Sequence, residues 1–204
     1  VAKQKINQKI TTENKVDYFK FVLFVLLTLL VVMLFYTKIN GEDDIFWHLS
    51  TGKYIIENKT VPSSDVFGYV TEGMKWIPFE WGWDVISFQL YNTGGFKALY
   101  AFHLIVLLII FVLLYLILRR LKINDYVSVI MLMILALGIK YRMGIKPQMF
   151  TYLFLVLVLY LLINHKGTKL LYAIPIVFLL WANFHMGVLA GILLLGLYLL
   201  SEIY

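Results

Sequence analysis

Glu42, Asp43, Asp44 and His48 place three carboxylates and an imidazole within seven consecutive residues. Glu80 and Asp84 follow, then Arg142 and Lys146, then Asn183 and His185. A carboxylate can take the proton of an incoming hydroxyl, and a nearby imidazole can orient either partner. A guanidinium grips phosphate oxygens in bidentate fashion, and an ammonium adds a point charge. Side chains of these types suit the transfer of a polar group from a phosphate-bearing molecule. Asp44 and His48, four apart, would also give a divalent metal ion two ligands from one helix face, with no third ligand identifiable. The metal requirement therefore stays open.

Composition says where such chemistry has to happen. Of 204 residues, 61% are hydrophobic, and mean hydropathy is +0.82. A soluble domain of this size is roughly 45–50% apolar, so this chain has too few polar residues to cover a globule. The sequence predicts an all-α polytopic membrane protein with about six transmembrane helices. Its large extracytoplasmic first loop carries amphipathic interfacial helices. There is no cysteine, hence no disulfide and no thiolate metal site. The net charge of +6 is spread over the loops between apolar runs. That pattern fits topology and lipid headgroups, and no nucleic-acid partner is expected.

The elements follow from the apolar runs. Residues 1–17 read as a polar, partly disordered cytoplasmic tail, and 18–36 as the first span. A cleaved signal peptide fits poorly, because the apolar core is too long and no small-residue cleavage site follows. Residues 37–95 form the extracytoplasmic loop. Within it, Asp43 to Glu57 has helical spacing, with Ile45, Leu49, Gly52 and Ile56 on one stripe. Pro62-Ser-Ser-Asp65 reads as a turn, and Val66 to Ile77 as a short hairpin about Glu72-Gly73. Glu80 to Tyr91 reads as a helix lying at the membrane surface, with Glu80, Asp84, Ser87 and Tyr91 on its polar side and Trp81, Val85 and Phe88 on its apolar side. Asn92-Thr-Gly-Gly95 ends it. Spans two to six occupy residues 96–204, the fifth, Leu170 to Asn183, containing Pro175.

Lysine and arginine counts put the N-terminus in the cytoplasm and the long loop outside. Eight of the 12 acids then lie outside. Lys140, Arg142 and Lys146 also fall outside, against the charge rule, as would cations that meet a substrate. This sidedness gathers the carboxylates, Arg142, Lys146, Asn183 and His185 on one face.

Acid-acid at the outer end of the first span, then a proline, then a loop with interfacial helices, resembles the GT-C glycosyltransferase superfamily. That group includes protein O-mannosyltransferases, aminoarabinose transferases and the catalytic subunit of oligosaccharyltransferase. Asp44-Ile-Phe-Trp-His-Leu-Ser-Thr-Gly, Pro62-Ser-Ser-Asp65, Trp76-Ile-Pro-Phe-Glu80-Trp and Trp181-Ala-Asn-Phe-His185-Met-Gly187 look like a poorly characterised prokaryotic GT-C-like branch. The resemblance covers the chain from about Val22 onward. It implies inverting transfer of a sugar from a polyprenyl-phosphate or polyprenyl-diphosphate carrier to a hydroxyl or amide acceptor of unknown identity. Asp44 or Asp43 would be the base, with His48 beside it. Arg142 and Lys146 would hold the carrier phosphate, with Glu80, Asn183 and His185 toward the substrate. The family's pair is often Asp-Glu; here it is Asp-Asp after Glu42, so the identity of the base stays open. Family members run to several hundred residues, so a fragment of a longer protein is also consistent.

Each of these residues has a plainer use. Asp43 and Asp44 suit the N-cap of the next helix. His48 suits a structural hydrogen bond, Glu80 a solvated face, and His185 a helix cap. Arg142 and Lys146 can snorkel to lipid phosphates. The rival functions are a non-catalytic GT-C-like scaffold that binds a lipid carrier or a partner protein and, ranked last, a transporter, since the charges sit at span ends and not at mid-membrane. No Gly-rich phosphate loop is present, which disfavours a nucleotide-sugar donor.

Overall fold

The computed structural model describes residues 2–35, 44–140, 142–164 and 169–203; for 2–17 and Phe19 it describes the backbone alone. The chain is all-α. Its helices are α1 (Ala2–Phe35), α2 (Asp44–Asn58), α3 (Trp81–Arg120), α4 (Asp125–Ile139), α5 (Gln148–Asn164), α6 (Ile174–Phe184) and α7 (Val188–Ile203). α1 begins within the segment read as a tail. Among the described residues only α3 is long and apolar enough to cross a membrane. The other apolar helical stretches run 10–17 residues. At 1.5 Å per residue even the longest covers about 25 Å, short of a roughly 30 Å hydrocarbon core. The expectation of about six such spans is therefore not met by helix length.

Three local readings change. No strand forms among the described residues of the expected hairpin. An isolated bridge, Ser64 to Lys75, closes the loop, and Gly73 turns it at φ 77°. Asp65 organises that loop, accepting from Thr71 Oγ1 and from the Phe67 and Gly68 amides at 2.8 and 2.9 Å. These bonds, the Thr71 hydroxyl first, hold its carboxyl below the usual value. In the second change, Pro175 starts α6 instead of interrupting a span: a 3-10 turn, Leu170–Ala173, precedes it. There its missing N–H costs no hydrogen bond. In the third, the predicted break at Asn92 to Gly95 is a corner inside one long helix. Gly94 and Gly95 leave helical geometry, and Gly95 sits at φ 61°, ψ −152°, a conformation open essentially to glycine alone.

The core lies where α3 and α5 pack, with α1, α4 and α6 around them. Trp83, Leu99, Leu107, Val158 and Trp181 are fully buried. Phe150 joins this layer at 5.8 Å from Trp83 and 4.3 Å from Phe184 between ring centroids. The outward faces are apolar too: Ile130, Ile134 and Leu137 of α4, Leu179 of α6 and most of α7 are exposed. At the end of the bundle where α3 finishes and α4 begins, Asp125 ties three helices together. It pairs with Lys20 of α1 at 2.8 Å, with Arg119, and with the Tyr115 hydroxyl at 3.1 Å. The start of α5 and the close of α6 lie at the other end, beside α2, where Phe150 meets Trp83 and His185 meets Glu80.

A carboxylate between two imidazoles

α2 reaches the site because Gly52 lets it. A Cβ at this position would overlap the backbone carbonyl of Asp84 and approach Phe88 Cβ to 2.7 Å. The missing side chain lets α2 lie directly on α3, with Ile45, Leu49 and Ile55 buried along the contact. Ile55, and not the expected Ile56, completes that stripe, and Ile56 is exposed. His48, one turn before Gly52, then meets Asp84. The polar side of the 80–91 helix accordingly faces inward: Asp84 and Ser87 are buried, while Trp81 is exposed. The reason is that α2 supplies a partner for Asp84, so burial of its carboxylate is compensated.

His48 Nδ1 lies 2.6 Å from Asp84 Oδ1. An ionised carboxylate can only accept, so Nδ1 carries the proton and the Nε2 lone pair is left facing outward. Ahead of the Gly94–Gly95 corner, burial pushes the Asp84 carboxyl up and the His48 hydrogen bond pulls it back, with a net upward direction. His48 Nε2 points toward Glu80 Oε2, 3.9 Å away.

Glu80 immediately precedes α3 and is half-buried. Its other oxygen, Oε1, lies 3.5 Å from His185 Nε2. Burial raises its carboxyl above the ordinary value; His48 opposes this, and Asp84 and Asp44 add to it. A carboxylate shifted upward, toward neutral pH, and flanked by two rings is equipped to accept and return a proton.

The close of α6 brings His185 in. Gly82 allows α6 to press on the start of α3, where a Cβ would come within 2.9 Å of the Asn183 carbonyl oxygen. Trp81 Nε1 donates to Asn183 Oδ1 at 2.8 Å, and Asn183 Nδ2 donates to the Leu179 carbonyl at 2.6 Å. Asn183 is thus a strut between α6 and α3. His185 Nδ1 lies 2.7 Å from Thr151 Oγ1 and 2.9 Å from the Gly187 amide, and burial lowers the affinity of this imidazole for a proton.

Two adjoining clefts open on this cluster. One, about 530 Å³, has Trp47, Trp76 and Phe79 along its wall and His48, Glu80 and Asp84 at its polar end. The other, about 330 Å³, shares Trp47, His48 and Glu80 and extends to Asp44 and Gln148. Trp47, Phe67 and Trp76 pack edge to face, their centroids 5.1–6.1 Å apart, which stiffens the wall.

The structure therefore brings together Asp44, His48, Lys146, Glu80, Asn183 and His185. Asp44 is largely exposed and lies 4.0 Å from Lys146 Nζ. Arg142 is exposed and lines neither cleft. Asp43 lies outside the described residues. Asp84 is no spectator on a polar stripe but the group that orients His48. Thr151 and Trp181 belong to the site as well. Thr151 lies in an apolar helix, where a lone hydroxyl carries no distinguishing spacing; the signal available was Trp181, whose buried N–H requires an acceptor. Among the described residues no group of three or more His, Asp or Glu side chains converges to hold a metal ion. No family model, curated protein or solved structure matches the chain.

Proposed function

We propose that this protein is a GT-C-type membrane glycosyltransferase. It crosses the bilayer about six times, its short helices aided by flanking aromatic residues and local thinning. Its N-terminus is cytoplasmic and its clefts are extracytoplasmic. The donor is a sugar on a polyprenyl phosphate or diphosphate. The acceptor hydroxyl or amide attacks the anomeric carbon as the bond to the carrier phosphate breaks. The acceptor proton passes to a carboxylate, and the phosphate leaves with the bonding electrons.

The observation that carries this reading is Glu80, half-buried between His48 and His185 at the mouth of an aromatic-walled cleft. Glu80 combines raised proton affinity with access to both clefts, while Asp44 is exposed and lies beside Lys146. The tryptophan faces offer a flat apolar surface for a sugar ring. Lys146, 4.0 Å from Asp44, and Lys75 on the wall of the larger cleft supply cations for the phosphate. Exposed apolar faces on α4, α6 and α7 suit lipid.

A non-catalytic GT-C-like scaffold is the rival. Purified protein in lipid nanodiscs, supplied with polyprenyl-linked sugars, separates the two. Turnover lost in Glu80→Gln, with binding of the carrier retained, is the expected result. Carrier binding without turnover in the unaltered protein would leave the scaffold.

A further inference from the structure

His185 carries information about its proton that the other ring at Glu80 does not share. Its Nδ1 faces two groups at hydrogen-bond distance. The Gly187 backbone N–H, at 2.9 Å, can only donate. The Thr151 hydroxyl, at 2.7 Å, can donate or accept. Trp181, whose indole N–H can only donate, lies 3.2 Å from the same oxygen and takes one of its two lone pairs. The Gly187 N–H decides the direction: a ring proton on Nδ1 would face that donor, so the hydroxyl turns its own proton to Nδ1. Both neighbours of Nδ1 are then donors, and Nδ1 has to be the unprotonated nitrogen. The proton of a neutral ring consequently sits on Nε2, 3.5 Å from Glu80 Oε1.

We infer that Thr151 is a positioning residue that locks His185 in the Nε2–H tautomer, so that an N–H and not a lone pair faces Glu80. This role for Thr151 in proton transfer rests on the glycosyltransferase reading; the lock itself does not. Gly187 is part of the device, because a Cβ there would overlap Thr151 Oγ1 and come within 2.9 Å of His185 Nδ1. An N–H aimed at Glu80 favours its ionised form and partly offsets the burial that makes it basic. The groups that act on Glu80 are His48 from α2, Asp84 from α3, Asp44 at the start of α2 and His185 itself. Of these, His185 alone has its tautomer set by neutral donors.

The test is nitrogen NMR on full-length protein in nanodiscs with ¹⁵N-labelled histidine rings, the His185 signals being assigned by their loss in His185→Gln. The expected spectrum near neutral pH has a protonated Nε2 and an unprotonated Nδ1. Thr151→Val should raise the Nδ1–H population, and Thr151→Ser should restore the original spectrum. In a transfer assay the acid limb of the pH profile should rise by about one pH unit in Thr151→Val, as the N–H turned toward the carboxylate is lost, and return in Thr151→Ser. An Nδ1–H or doubly protonated ring in the unaltered protein overturns the lock, as does a spectrum unmoved by Thr151→Val. An intact lock in a protein without turnover upholds the tautomer and removes the transferase reading alone.

Discussion

His48 reaches Glu80 from α2 with a buried carboxylate behind it, while His185 reaches the same side chain from the close of α6 with a hydroxyl and a backbone amide behind it. The backing group decides what each ring shows to the cleft. Asp84 requires a proton on His48 Nδ1, so His48 turns a lone pair outward. Thr151 and Gly187 require a bare Nδ1, so His185 turns an N–H outward and is better kept neutral. One carboxylate thus lies between an acceptor and a donor. Identical side chains differ in function here through the groups that back them.

Removing the group the two rings share should have the largest effect. Glu80→Gln keeps the shape and loses the base, so transfer should fall roughly 10²- to 10⁴-fold with the fold intact by circular dichroism. Next comes the His48 side. Gly52→Ala drives a Cβ into the Asp84 carbonyl and should cost about 1–3 kcal/mol in chemical denaturation, or more where α2 cannot shift. It should uncouple His48 from Asp84 while the His185 nitrogen signals stay in place; a shift at His185 would mean that the two sides are not independent. Asp84→Asn should have a smaller effect on transfer than Glu80→Gln. An amide can donate to Nδ1, which moves the His48 proton to Nε2 and makes the two rings alike.

Stability against pH distinguishes the rings from the carboxylate. His185 is held below its usual value of 6.5, so the unfolded chain binds the extra proton first. Stability should fall as pH drops below about 6.5, and His185→Gln should flatten that fall. Glu80 is raised above its usual 4.5, so its contribution is present at low pH and lost as pH rises through the raised value. Glu80→Gln should flatten that second loss in thermal melts. The smallest effect belongs to the cations. Lys146→Ala should weaken carrier binding several-fold, and Arg142→Ala should leave it within error, since Arg142 lines neither cleft; equal losses would bring Arg142 back to the phosphate.

Helical class was legible because long apolar runs leave few other solutions, and the Gly94–Gly95 break was legible because paired glycines interrupt a helix. His48, Glu80 and His185 stood out as polar residues at the ends of apolar runs. Pairings between distant segments were less legible. Nothing local says that Gly52 lies on the Asp84 carbonyl, or that Thr151 of α5 holds a ring from the end of α6. The β-rich look of Val66 to Ile77 misled because its partners are side chains: Asp65 satisfies the amides that a strand would have paired, and Phe67 and Trp76 pack on Trp47. Ile55 and Ile56 could not be told apart without knowing on which side α3 would dock.

The corner at Gly94 and Gly95 makes α3 two rods on a joint. The first rod is clamped by α2 and by Asn183 and packs Trp83 on Phe150 of α5, and the second runs on through the bundle. On the membrane reading proposed above, a change in the tilt of the second rod would be taken up at the joint. On the transferase reading proposed above, Gly95→Ala should make turnover depend on acyl-chain length more steeply than in the unaltered protein.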